Sequence, residues 1–341
     1  MLSSLALTLY CVSLLIDCAD TLQKDSMPTI AEKTWGNWAK ILTDCMIIGS
    51  QLGFCTSYVF FISSQIGAVI NCIVLPEGLD TDNCSDPLEM NSGGHGVINK
   101  WYFLIALYII YIPLVWIRKT EKLAFTHILS DIIIVFVILT VLVFGGKAAK
   151  ERPHNQDLVH QGFMGVSGFG VGVSSAVYAF EGIAVVLPVR NIAKDQVNYF
   201  KNITCVIIGI ALFYVAFGQY SLWAYGPEQI SAEAYVTVSL PPTSPWTYTA
   251  KLAYCLTLVF TYPLQASPAN NVIESYLTNG WEKSKKRMWC KNISRTVVIT
   301  VTLILALTVW EKVGVFLELL GALTCAPLAF MLPALYHIKI A

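Results

Sequence analysis

The chain has 341 residues, of which 55% are hydrophobic and only 13% charged, and its mean hydropathy is +0.61. Soluble domains carry about 25% charged residues, so these proportions exclude an ordinary soluble protein, along with the disordered, collagen-like and heptad coiled-coil classes. With 22 basic and 22 acidic residues the formal charge is zero, and no whole-chain field recruits nucleic acid or marks an enzyme for acidic substrates.

Apolar stretches between polar breaks predict nine membrane spans, at 1–18, 41–73, 102–117, 124–144, 165–188, 203–225, 248–271, 296–311 and 313–338. A helix of about 20 residues crosses the hydrocarbon layer, so the expected fold is an all-α integral membrane protein, one transmembrane domain over 1–341. The spans at 102 and 296 are short, whereas the one from Ile41 exceeds the bilayer and must tilt or protrude. Met1 opens directly onto an apolar run without the basic n-region of a secretory signal, so the first span reads as an authentic membrane helix whose upstream neighbours are missing.

Orientation follows from the basic residues, which are retained on the cytoplasmic side. Sixteen of the 22 fall in 19–40, 118–122, 190–201, 283–295 and the C-terminal tail; Lys100, Lys147, Lys150, Arg152, Lys251 and Lys312 fall in the alternate loops. The run Lys283, Lys285, Lys286 and Arg287 therefore lies in the cytosol as a solvated orientation signal, contact with anionic lipid being the lesser reading. The loops 74–100 and 226–247 face outside or a lumen. The first contains Asn83-Cys84-Ser85, a glycosylation sequon; the sequons at Asn202 and Asn292 fall on the cytosolic side and read as chance. Six of the ten cysteines, Cys11, Cys45, Cys55, Cys205, Cys255 and Cys325, lie in apolar stretches and pack as small hydrophobes. At most one disulfide is expected, Cys72 to Cys84.

Little here supports catalysis. The five histidines are scattered, no CxxC occurs, and neither a metal nor another cofactor is expected. GxSxG and Walker A sequences are absent, and no nucleophile and base stand at an interpretable spacing. The glycines at 162, 165, 168, 170 and 172 open a membrane span rather than follow a soluble strand, so close helix packing through Gly168 and Gly172 replaces a dinucleotide loop, with backbone flexibility near a broken helix as the alternative. Glu181 is the informative acid. It lies inside the fifth span, where a carboxylate is costly and is usually placed on a substrate or proton path. Loss of water favours the protonated form, which makes Glu181 a candidate to exchange a proton; a structural acid bonded to a neighbouring helix is the alternative. Gly182 weakens the helix beside it, and an interrupted helix frees main-chain groups for the charged ends of a zwitterion. Asp17, Asp44 and Asp131 sit near cytosolic ends and snorkel to water. Glu318, several residues inside the last span, is open to a functional and a structural reading.

The stretch Tyr178-Ala179-Phe180-Glu181-Gly182-Ile183 with Val186-Leu187-Pro188 closely resembles the sixth transmembrane helix of the amino acid/auxin permease family, particularly its proton-coupled and vacuolar amino-acid transporters. Gln51-Leu52-Gly53-Phe54-Cys55 resembles the third helix of that family. Thr261-Tyr262-Pro263-Leu264-Gln265 with Pro268 resembles the eighth, and Leu320-Gly321-Ala322 before Pro333 resembles the tenth. The resemblance implies a five-plus-five inverted repeat with an extra helix, in which broken first and sixth helices hold the substrate. In that frame the first span here, with Leu9-Tyr10-Cys11, matches the second helix, and the first and eleventh helices are absent.

Carried onto matching positions, the resemblance implies a half-site of Ser174, Ser175, Tyr178, Ala179, Phe180 and Gly182, with Glu181 and Glu318 as proton-coupling candidates. Gln51, Tyr58 and Tyr262 are further binding candidates. The activity implied is transport of neutral amino acids with protons by alternating access, in a plasma, vacuolar or lysosomal membrane. An amino-acid sensor without transport, or an inactive truncated product on the same scaffold, is the alternative. Substrate, protons and the lipid bilayer are the expected partners, with no nucleic acid.

Overall fold

A computed structural model describes residues 2–74, 100–117, 124–151, 166–226, 230, 235–241 and 244–340. Its helices, in chain order, are α1 (Leu2–Leu22), α2 (Met27–Trp35), α3 (Asn37–Val74), α4 (Lys100–Trp116), α5 (Ala124–Glu151), α6 (Val166–Ala179), α7 (Ile183–Ile192), α8 (Tyr199–Tyr225), α9 (Pro245–Leu277), α10 (Lys285–Thr308), α11 (Val313–Leu320) and α12 (Leu332–Ile340). There is no strand among the described residues. Seven segments, namely Ser3–Leu22, Asn37–Ile70, Thr126–Lys150, Gly172–Ile192, Tyr199–Tyr225, Lys285–Thr308 and Val313–Ile340, are long and apolar enough to cross a membrane, and Trp101–Trp116 is a shorter apolar helix. The protein is an all-α, multi-pass membrane protein. The expected span at 248–271 falls within α9, whose buried positions include Lys251, Asn270 and Glu274. That helix turns polar groups inward rather than presenting an apolar surface all round. Asn83 and Cys84 lie outside the described residues, as does the side chain of Cys72.

The chain divides into two compact units. The first comprises 1–50, 159–219 and 314–341. Lipid tails are as apolar as leucine, so membrane helices are held by close packing and interhelical hydrogen bonds more than by hydrophobicity. Accordingly α1 packs on α12 and α2 with Val12, Leu15 and Cys18 buried. A hydrogen bond of 2.6 Å joins the hydroxyls of Thr43 on α3 and Tyr336 on α12. Helix α2 was not foreseen from hydropathy. It lies in the segment 19–40, with Ser26 before it, Pro28 in its first turn and Gly36 at φ 85° ending it, the asymmetry expected of a short helix. Met27, Ile30 and Ala31 form its buried face.

Between α11 and α12 the helix widens. The amide of Ala326 donates to the carbonyl of Gly321, and that of Leu332 to the carbonyl of Pro327, each five residues back. Pro327 and Pro333 bring no amide to the ordinary ladder, and such wide turns gather at functional sites.

The second unit comprises 51–158 and 220–313. Its core gathers Val59 and Ile62 of α3, Leu107 and Tyr111 of α4, Tyr262 of α9, and Ile299 and Leu303 of α10. Helix α5 packs on α9 and leaves Ile128, Ile132, Val135, Leu139 and Val143 exposed. Those positions recur at helical spacing, the stripe expected of a face turned to lipid. The hydroxyl of Tyr225 donates to the carbonyl of Val141 at 2.9 Å, joining the end of α8 to α5.

Candidate functional site

Helix α6 ends because its hydrogen-bond ladder tightens and then stops. The amide of Phe180 still reaches the carbonyl of Ala176 at 3.1 Å, but that of Glu181 turns to Tyr178 at 3.4 Å. Gly182 then adopts φ 159° and ψ 1°, dihedrals that residues bearing a Cβ rarely take. Helix α7 restarts at Ile183 with no side-chain cap from Gly182. Among the described residues no backbone amide reaches the carbonyl of Ala179. The break therefore presents the partially negative end of α6 beside the partially positive start of α7.

A cavity of about 300 Å³ opens at this break. Ala179, Phe180, Glu181 and Gly182 line it, with Thr8 and Val12 of α1 and Tyr199 and Tyr214 of α8. The walls are held in place by local bonds. Tyr199 donates from its hydroxyl to the carbonyl of Val186 at 2.8 Å, and the rings of Phe180 and Tyr214 lie 6.2 Å apart. In the last turn of α7, Arg190 pairs with Asp20 at 2.8 Å. In the connection to α8, the side-chain amide of Asn198, helped by its backbone N–H, holds the carboxyl of Asp195 below the usual carboxylate range. The Oε1 atom of Glu181 is sealed from solvent and has no hydrogen-bond partner among the described residues. A buried polar atom left so carries a desolvation cost of about 1–3 kcal/mol, and it is what a ligand group or a proton would satisfy.

The expected half-site is thus only partly gathered at the cavity. Ser174 is half-buried and donates its hydroxyl to the carbonyl of Glu318. Ser175 is exposed, and Tyr178, half-buried, is not among the cavity residues. Ser174 and Tyr178 lie four residues apart on one stripe of α6, which explains why they leave the cavity together. Glu318 is half-buried, and its carbonyl is what Ser174 engages. Next to that bond α6 meets Gly321 closely: a Cβ on Gly321 would stand 2.5 Å from the carbonyl oxygen of Ser174.

Gln51, Tyr58 and Tyr262 belong to the second unit. Gln265 donates its amide to Oε1 of Gln51 at 2.8 Å. Tyr262 is fully buried, its ring stacked 4.0 Å from that of Tyr111 and its hydroxyl 2.7 Å from Thr302. Tyr58 packs against the same core.

One polar constellation in this unit escaped the sequence reading. Glu274 of α9 accepts from Nε of Arg295 at 2.6 Å and pairs with Lys291 at 2.8 Å. Arg295 also donates to the carbonyl of Val115 at 2.7 Å, so three helices meet on one buried cation. The only sequence signal was a set of charges near span ends, which reads by default as solvated loop.

The conformation of Gly182 is testable separately from its surroundings. A Cβ there meets nothing within 4 Å, so Gly182→Ala carries backbone strain alone, about 1–3 kcal/mol. Thermal unfolding in detergent should show a lowered melting temperature for this variant and little change for Gly172→Ala, a helical position with equally open space.

A family model described as transmembrane amino acid transporter protein matches residues 1–341. Among curated relatives, the amino acid transporter AVT3C of Arabidopsis thaliana is 30% identical over 316 residues, covering 89% of this chain and 65% of its own length. Vacuolar amino acid transporter 3 of Schizosaccharomyces pombe is 24% identical, covering 86% of this chain and 41% of its own. Vacuolar amino acid transporter 4 of Saccharomyces cerevisiae is 22% identical, with 97% and 46% covered. The chain spans less than two thirds of the length of each of these three. With a model matched from end to end and a helix broken at Gly182, the chain belongs to the transmembrane amino acid transporter protein family.

Proposed function

We propose that this protein moves neutral amino acids together with protons by alternating access, in a vacuolar or lysosomal membrane. One observation carries the reading: a buried carboxylate oxygen without a partner among the described residues, at a helix break that opens into a cavity. The start of α7 suits a substrate carboxylate, and the main-chain carbonyls at the end of α6 suit an ammonium. Among the described residues the remaining lining is largely apolar and includes no basic residue, which favours an uncharged side chain. Its volume lies at the lower end of small-molecule pockets, which run from about 300 to 1,000 Å³. Protonation of Glu181 would neutralise a carboxyl buried beside the bound substrate and so bias the two access states differently, which is what coupling requires. The names of the yeast relatives support the vacuolar membrane. The test is uptake of labelled neutral amino acids by proteoliposomes holding the 341-residue chain. Accumulation driven by an imposed pH gradient is expected; uptake indifferent to the gradient would remove the coupling, and saturable binding without uptake would remove transport.

A further inference from the structure

The end of α9 and the start of α10 enclose a groove of about 710 Å³ in the second unit. Lys285, Trp289, Ile293 and Val297, each four residues from the last, form one stripe of α10 along it. At 1.5 Å rise per residue the stripe passes from cation through indole to aliphatic surface over about 18 Å. Lys286 joins the cationic end, and Leu277 and Trp281 form the facing wall.

The groove is built rather than incidental. The ring of Trp289 stands edge-on to Trp116 at 5.9 Å, and Arg287 donates to the carbonyl of Trp281 at 2.9 Å. Lys285 and Lys286 are exposed and form no ion pair among the described residues. The buried acid nearest in sequence, Glu274, is already taken by Lys291 and Arg295. Ile293 and Val297 are 60% and 55% exposed on a helix apolar enough to span the membrane, so the apolar end continues into lipid. An orientation signal needs only the charges; it does not need two tryptophans and a groove beneath them.

We propose that this groove holds an anionic phospholipid of the cytosolic leaflet, its phosphate on Lys285 and Lys286 and an acyl chain along Ile293 and Val297. Anionic headgroups gather at juxtamembrane basic clusters, tryptophan settles at the interface, and the aliphatic end takes the chain. The groove shares no lining residue with the cavity at Gly182.

Native mass spectrometry of the full chain, purified in detergent and mixed with defined lipid, tests it. Phosphatidylserine should be retained over phosphatidylcholine and should raise the melting temperature. Lys285→Gln with Lys286→Gln should lower retention by roughly tenfold or more, whereas Lys33→Gln with Lys194→Gln, which removes the same charge elsewhere, should not. Trp289→Ala keeps every charge and should also weaken retention, so the proposal stays open to test if the double lysine variant fails to fold. Equal retention of the two lipids, or wild-type retention in both the Lys285/Lys286 and Trp289 variants, would overturn it. So would a melting shift of equal size from glycerol phosphate alone, which would make this a site for a free anion.

Discussion

Arg295→Met should destabilise the protein by about 3 kcal/mol, seen as a lower unfolding temperature in detergent. Removing one partner of a buried ion pair costs about 3–5 kcal/mol because the other charge stays behind without compensation. Here Glu274 keeps Lys291 at 2.8 Å, which places the cost at the low end, while the carbonyl of Val115 loses the donor it has at 2.7 Å. The Arg295→Met, Glu274→Leu double variant should recover much of the loss, since no buried anion remains. A double variant less stable than Arg295→Met would show that the pair of Glu274 with Lys291 outweighs the cost of burying the carboxylate.

Gly321→Ala should be the most damaging single methyl in the first unit, by about 2 kcal/mol on the scale of overpacked cores. The new Cβ would stand 2.5 Å from the carbonyl oxygen of Ser174 and 2.9 Å from its hydroxyl. Because the nearest obstacle is main chain, rotating or trimming a side chain cannot make room: Ser174→Ala should leave the defect in place, and α6 itself must move. Thermal unfolding of the single and double variants decides this, and full rescue by Ser174→Ala would mean that only the hydroxyl stood in the way. The shift would also reach the cavity five residues further along α6, so the proposed transport should fall with stability.

Glu181 and Gly182 were legible in sequence because each breaks a rule that apolar spans otherwise keep. An acid in hydrocarbon is costly and a glycine beside it ends a helix, so the break and the buried acid at it stood out against uniform surroundings. Ser174, Ser175 and Tyr178 share the same motif yet do not line the cavity, because a motif says which residues are neighbours along the chain and not how the helix is rotated about its axis. Glu274 and Arg295 are 21 residues apart on different helices, and only packing reveals that their charges are paired rather than solvated. The wide turns at Gly321–Cys325 and Pro327–Met331 depend on where amides missing from Pro327 and Pro333 are compensated, which periodicity does not encode. Helix α2 is hidden from hydropathy for a simpler reason: at nine residues it is too short to register as a span, although Ser26, Pro28 and Gly36 mark both its ends.

Glu181→Gln preserves the shape of the side chain and removes only its capacity to ionise, so it isolates the step on which the transport reading turns. Proteoliposomes holding this variant should still exchange labelled for unlabelled neutral amino acid, while accumulation driven by a pH gradient falls to the level seen with no gradient. Gradient-driven accumulation at the wild-type rate in Glu181→Gln would contradict the account.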